Sequence, residues 1–206
     1  MDIKKICAEA VQYNFAAVCI PPSLVTVARK ELQNMRSPLI ATVIGFPFGY
    51  SVLEAKLAET EQALADGADE LDMVINLTAL RNGDWQYLEK EIAAITGSVH
   101  ERGKVIKVII ESGILTDEEI IRCCDICSKA GVDFVKTSTG YAEKGATLEA
   151  VRLMRAHLPA GIRIKASGGI RTYLFSRQLI EAGASRLGCS ASVEIVNGEK
   201  TPQGDY

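Results

Sequence analysis

The chain has 206 residues, enough for one domain with a sizeable core and fewer than the about 250 usual for a complete (β/α)₈ barrel. Hydrophobic residues at 48% and charged residues at 24% exclude a disordered or fibrous chain. Lys and Arg number 23 against 26 Asp and Glu, a net charge of -3 with no long basic run, so neither nucleic acid nor an anionic membrane is an expected partner.

The opening residues MDIKKICAEA form an amphipathic pattern unlike a signal peptide, and no stretch is long and apolar enough to span a bilayer. The six cysteines lie in apolar or helical surroundings without the spacing of a disulfide framework, which points to reduced thiols and a cytosolic protein. Cys124 and Cys127 form a C-x-x-C, but inside the helical pattern EEIIRCCDICSKAG, where packing explains small apolar side chains better than a metal or redox centre does.

Along the chain, short β-branched runs alternate with longer helical patterns, the mark of a parallel sheet covered by helices. Strands are expected at 16–20, 39–46, 70–76, 104–110, 133–139, 163–168 and 185–190, seven in all. Helices are expected near 3–13, 23–34, 51–66, 85–101, 117–130, 147–157 and 173–182. Thr116 and Glu119 spell a capping box, Thr147 is a second N-cap, and Gly67, Gly131 and Gly183 stand where helices turn back. No linker divides the chain, so residues 1–206 are read as a single domain. An open dinucleotide-binding sheet alternates in the same way, but no early G-x-G-x-x-G loop is present. Reactive side chains instead recur within or just after successive strands, as at the mouth of a (β/α) barrel, which is the expected fold.

Lysine is depleted from strands and almost never fully buried without a partner, yet Lys107, Lys136 and Lys165 each fall inside one. If Lys136 and Lys165 share a level on neighbouring strands, their ammonium groups crowd one cavity. At an effective dielectric near 20 and roughly 5 Å, their repulsion is on the order of 3 kcal/mol, enough to lower one lysine pKa by about two units. A lysine so perturbed is a free amine near neutral pH and can attack a carbonyl to form an imine. For any one such lysine the plainer reading is a side chain snorkelling to water or paired with a carboxylate. Asp72, mid-strand in ELDMVIN, is the expected counter-ion and proton shuttle, while Glu70 reads as part of a salt bridge at the barrel base. Gly168 and Gly169 after the sixth strand, with Gly188, Cys189 and Ser190 after the seventh, can turn backbone N–H groups toward an anion. Thr137 to Gly140 extend that rim.

The segments DELDMVIN, KVIIESGIL, GVDFVKTSTGY and IKASGGIRT, in this order over nearly the whole chain, resemble the deoxyribose-phosphate aldolase family. The resemblance implies a class I aldolase that reversibly cleaves 2-deoxy-D-ribose 5-phosphate to D-glyceraldehyde 3-phosphate and acetaldehyde, with no metal and no organic cofactor. It implies that Lys136 forms the Schiff base, that Lys165 perturbs it and that Asp72 shuttles protons. Gly168, Gly169 and Ser190 would hold the phosphate, with Thr139 and Lys107 as further substrate contacts. A homo-oligomer, dimeric or larger, is implied as well. Similar members carry an Asp-His-Thr strand ahead of the segment matching MDIKKIC, so the first of eight barrel strands is expected to be missing here. That departure keeps two alternatives open: a catalytically impaired phosphosugar-binding barrel, and another Schiff-base aldolase or transaldolase.

Overall fold

A computed structural model describes residues 2–33 and 35–198. Seven strands form one sheet: β1 (Ala17–Cys19), β2 (Leu39–Ile44), β3 (Glu70–Val74), β4 (Val105–Ile109), β5 (Phe134–Lys136), β6 (Arg163–Ser167) and β7 (Arg186–Gly188). Every neighbouring pair is parallel and the strands lie in chain order. The helices are α1 (Ile3–Gln12), α2 (Val25–Glu31), α3 (Leu53–Ala65), α4 (Leu77–Arg81), α5 (Trp85–Glu101), α6 (Asp117–Ala130), α7 (Leu148–His157), α8 (Tyr173–Glu181) and α9 (Ser192–Val196).

Sequence order with right-handed crossovers is the topology of a barrel, and long-range contacts show that the sheet curls. Neighbouring strands lie about 4.8 Å apart, so β3 and β7 would be some 19 Å apart in a flat sheet. Arg186 of β7 nevertheless reaches Glu70 of β3 at 3.2 Å, and Lys165 of β6 reaches Asp72 of β3 at 2.6 Å. Among the described residues β1 pairs only with β2 and β7 only with β6, which leaves the curl open along one seam. The expected seven-stranded (β/α) barrel is what the chain forms.

Alternation along each strand sorts two populations. Leu71, Met73, Ile106, Val108, Val135, Ile164 and Ala166 join the main apolar core, packed under the helices. Glu70, Asp72, Lys107, Phe134, Lys136 and Lys165 occupy the intervening positions and fill the barrel. The Phe134 ring carries Arg163 at 3.9 Å, Arg186 at 5.6 Å and Lys107 at 6.0 Å from its centroid, closing the barrel floor with cation–π contacts.

All seven expected strands form, shorter by one to four residues because hydrogen-bonded pairing stops before the apolar run does. The Thr116–Glu119 capping box and the Thr147 cap are present, and Gly67, Gly131 and Gly183 all take positive φ at helix ends. The helix expected at 23–34 begins as a 3₁₀ turn, Pro22–Leu24, before α2. The sequence reading omitted α4 and α9, whose five residues are too few to display a 3.6-residue period. Cys123, Cys124 and Cys127 pack inside α6, and burial pushes the Cys123 and Cys124 thiols up to about 12. Among the described residues, no helix is long and apolar enough to cross a membrane.

Candidate active site

The parallel register sets Lys136 directly beside Lys165 and Asp72 directly beside Lys107. Curling then brings both pairs together. The Lys136 Nζ lies 2.8 Å and the Lys165 Nζ 2.6 Å from the same oxygen of Asp72, Oδ2, while the Lys107 Nζ donates to Oδ1 at 2.7 Å. Lys136 and Lys165 thus share one carboxylate oxygen. Lys107 also pairs with Glu70 at 2.8 Å, and Glu70 with Arg186, so a chain of charges runs from the cleft to the barrel base. Glu70 thus forms the salt bridge expected of it.

Asp72 is wholly enclosed, and burial by itself would raise its carboxyl. The ammonium groups of Lys136, Lys165 and Lys107 overcome that and hold it well below the usual carboxylate range. For Lys165, burial favours the neutral amine, but the facing carboxylate of Asp72 prevails and raises its pKa. Lys165 is therefore held protonated, and Asp72 is anionic at all ordinary pH.

Above the cluster opens a cleft of about 680 Å³ lined by Lys136, Lys165, Thr139, Gly168, Gly169 and Ser190, together with residues of α1, β1 and β7. Gly168 and Gly169 both take positive φ, at 87° and 75°. A Cβ on Gly169 would meet nothing, so its backbone faces open space. Of the residues singled out in the sequence, Lys136, Lys165, Thr139, Gly168, Gly169 and Ser190 are brought together around this one cleft.

Two expectations need correction. Lys107 is fully enclosed and does not line the cleft, because Asp72 and Glu70 engage its ammonium group; it cannot touch a substrate. Asp72, expected as a proton shuttle, has no exposed surface and does not line the cleft; its oxygens accept from Lys107, Lys136 and Lys165.

Gly188, singled out in the sequence for its backbone, has a second part: a Cβ there would stand 3.1 Å from Cε of Lys165, so the absent side chain clears the path of that lysine, as only the register of β6 against β7 reveals. The sequence reading missed Glu111, two residues beyond β4, which is buried and accepts from the Thr139 N–H and hydroxyl. Its signal was a carboxylate directly after the apolar run KVII.

A family model for DeoC/LacD family aldolases matches residues 1–195. The chain belongs to the DeoC/LacD family of aldolases. The deoxyribose-phosphate aldolase of Thermococcus gammatolerans is 48% identical over 98% of this chain and 90% of its own length. That of Bacillus cytotoxicus is also 48% identical, over all of this chain and 92% of the relative. A solved structure described as a tetrameric deoxyribose phosphate aldolase from Aeropyrum pernix superposes with a TM-score of 0.85 at 32% identity, covering 95% of this chain and 82% of that one. Within this DeoC/LacD member, Lys136 ends β5, and the loops after β5, β6 and β7 supply Thr139, Gly168, Gly169 and Ser190 to the cleft, as barrel enzymes carry their chemistry on loops after strands.

Proposed function

We propose that this DeoC/LacD aldolase cleaves 2-deoxy-D-ribose 5-phosphate reversibly to D-glyceraldehyde 3-phosphate and acetaldehyde, with Lys136 as the covalent nucleophile. The observation that carries the reading is the sharing of one Asp72 oxygen by two buried lysines that line a cleft. The Lys136 amine adds to the C1 aldehyde of the open-chain sugar and loses water, giving an iminium ion. The C3 hydroxyl gives up its proton, the C2–C3 electrons flow into the iminium, and C3 leaves as the aldehyde of the three-carbon phosphate. The enamine left on Lys136 takes a proton at C2 and is hydrolysed to acetaldehyde and free lysine. Lys165, kept cationic by Asp72, is the proton donor nearest to these steps. Gly168, Gly169 and Ser190 receive the phosphate through backbone N–H groups and a hydroxyl at the end of the cleft away from Lys136.

The reading extends to one catalytic unit over residues 1–206, working in the cytoplasm as a homo-oligomer; the A. pernix relative is described as a tetramer. A second reading, a phosphosugar binder without turnover, draws support from the open seam between β1 and β7, which adjoins the cleft. Borohydride reduction in the presence of deoxyribose 5-phosphate separates the two. An aldolase yields a reduced adduct on the peptide bearing Lys136, absent in Lys136→Ala. A folded protein that binds the sugar phosphate and yields no adduct is the binder. Turnover of ketose donors in preference to acetaldehyde would instead mark a transaldolase-like enzyme.

A further inference from the structure

Thr139 lines the cleft three residues beyond the reactive lysine, and its hydroxyl is not free to turn. An alcohol oxygen has one proton to give and two lone pairs with which to accept. The proton is committed to Glu111 Oε2, and Tyr141 N donates to one lone pair at 3.1 Å. Glu111 also accepts from the Thr139 N–H at 3.2 and 3.3 Å, so its carboxylate grips the residue at two points. The hydroxyl therefore keeps one lone pair and no proton for a further partner.

Glu111 is itself held in place. It is buried and takes the left-handed conformation, φ 56° and ψ 55°, uncommon for a residue with a side chain. The next residue, Ser112, donates its N–H to the Thr137 carbonyl at 2.7 Å. Gly113 packs on the Lys144 backbone so closely that a Cβ would lie 2.3 Å from its carbonyl oxygen. The loop after β4 thus fixes the loop after β5, and the Thr139 hydroxyl donates to the Glu111 carboxyl oxygen.

We propose that Glu111 is a positioning residue that makes Thr139 a pure acceptor, so that this edge of the cleft selects a substrate hydroxyl and rejects a carbonyl or phosphate oxygen. The inference rests on the aldolase reading above. In that reaction the C3 hydroxyl must surrender its proton, which leaves the C4 hydroxyl as the donor offered to Thr139. In the condensation direction the same group is the 2-hydroxyl of the three-carbon acceptor. The phosphate belongs with Gly168, Gly169 and Ser190, which line the same cleft.

The test is condensation of acetaldehyde with three phosphorylated acceptors that carry hydroxyl, hydrogen or fluorine at carbon 2. Fluorine accepts weakly and cannot donate. In the unaltered protein, the hydroxyl compound should exceed both others in kcat/KM by about tenfold, the factor that about 1.4 kcal/mol represents. The fluoro compound should gain nothing over the hydrogen compound beyond what its activated aldehyde gains in Thr139→Val. Glu111→Ala should lose most of the preference, mainly through a higher KM for the hydroxyl compound. Glu111→Gln, whose carbonyl oxygen can still accept, should retain most of it. A fluoro acceptor that matches the hydroxyl acceptor once its gain in Thr139→Val is divided out overturns the proposal, even if Glu111→Ala fails to fold. So does a full preference in folded Glu111→Ala. Absence of the borohydride adduct in the unaltered protein removes the aldolase reading and this inference together; an adduct with an unchanged preference removes only the role of Glu111.

Discussion

Asp72 carries more of the site than its lack of surface suggests. Its carboxyl is held below the unfolded value, so its contribution to stability is complete above about pH 4 and is lost as pH falls toward the folded value. The raised Lys165 acts in the opposite sense, with its contribution present below about pH 10 and lost only above that. Between those limits the stability of the unaltered protein should vary little with pH through this cluster. Asp72→Asn leaves Lys136 and Lys165 without their anion, while Lys107 keeps Glu70, a loss of about 3–5 kcal/mol. The folded variant would then shed protons that the unfolded chain keeps, so its stability should rise between about pH 7 and pH 9.5. Melting temperatures at the two pH values decide the matter; a flat or falling Tm for Asp72→Asn contradicts this account of the cluster. The three lysines were legible because a charged residue inside a strand has no cheap explanation. The enclosure of Lys107 was not, since strand period fixes which side of the sheet a residue faces but not its depth in a curled barrel.

Elements are joined by a second buried ion pair, on the outer side of the sheet. Lys56 of α3 donates to Glu91 of α5 at 2.7 Å and to the Val74 carbonyl at 2.8 Å, while Glu91 accepts from the Asn76 N–H at 3.0 Å. The pair therefore binds two helices to the end of β3, the strand that carries Asp72. Burial dominates both partners: it lowers the Lys56 pKa and raises that of Glu91 despite their mutual attraction. Desolvation outweighing attraction predicts two different outcomes. Glu91→Ala, which strands a buried ammonium, should cost about 3–5 kcal/mol in urea unfolding. Lys56→Met with Glu91→Leu should be neutral or stabilising by about 1–4 kcal/mol. A double variant as damaged as the single one would show the pair to be a net source of stability. Lys56 and Glu91 fall on helical stretches with ordinary surface composition, so nothing in the sequence distinguishes them from solvated charges. By contrast, the start of α6 was fully legible, because Thr116 and Glu119 interact locally. Thr116→Ala should therefore lower stability by about 1 kcal/mol, readable as a shift in the unfolding midpoint with an unchanged slope.

At the scale of the molecule, the sheet is unevenly secured. β3 and β4 are paired on both sides and almost entirely buried, whereas β1 and β7 have three residues each and one strand partner among the described residues. Short edge strands limit unwanted pairing between chains, and they also open first. In hydrogen exchange, amides of β3 and β4 should exchange only at the rate of global unfolding, and those of β1 and β7 much sooner. A bound sugar phosphate at about 100 times its Kd should stabilise the fold by about 2.7 kcal/mol and slow exchange in β7, whose end borders the cleft. Equal protection in all seven strands would show that the seam is closed in solution. Strand number was readable from alternation alone. Alternation did not separate a barrel from an open sheet, and the barrel was legible only through reactive side chains recurring on successive strands; the contacts that mark the curl, Arg186 with Glu70 and Lys165 with Asp72, join strands too far apart in sequence to be read there.

The pairing of Lys136 opposite Lys165 makes their meeting at Asp72 a question of odd and even positions. Deleting Phe134 would turn the Lys136 amine outward among the helices and swing Val135 into the barrel; on the role proposed for Lys136, that silences the chemistry while composition and fold stay nearly the same. Lengthening the rim between Gly140 and Ala146 leaves that parity intact. Such changes can alter which aldehydes are joined without disturbing the lysines around Asp72.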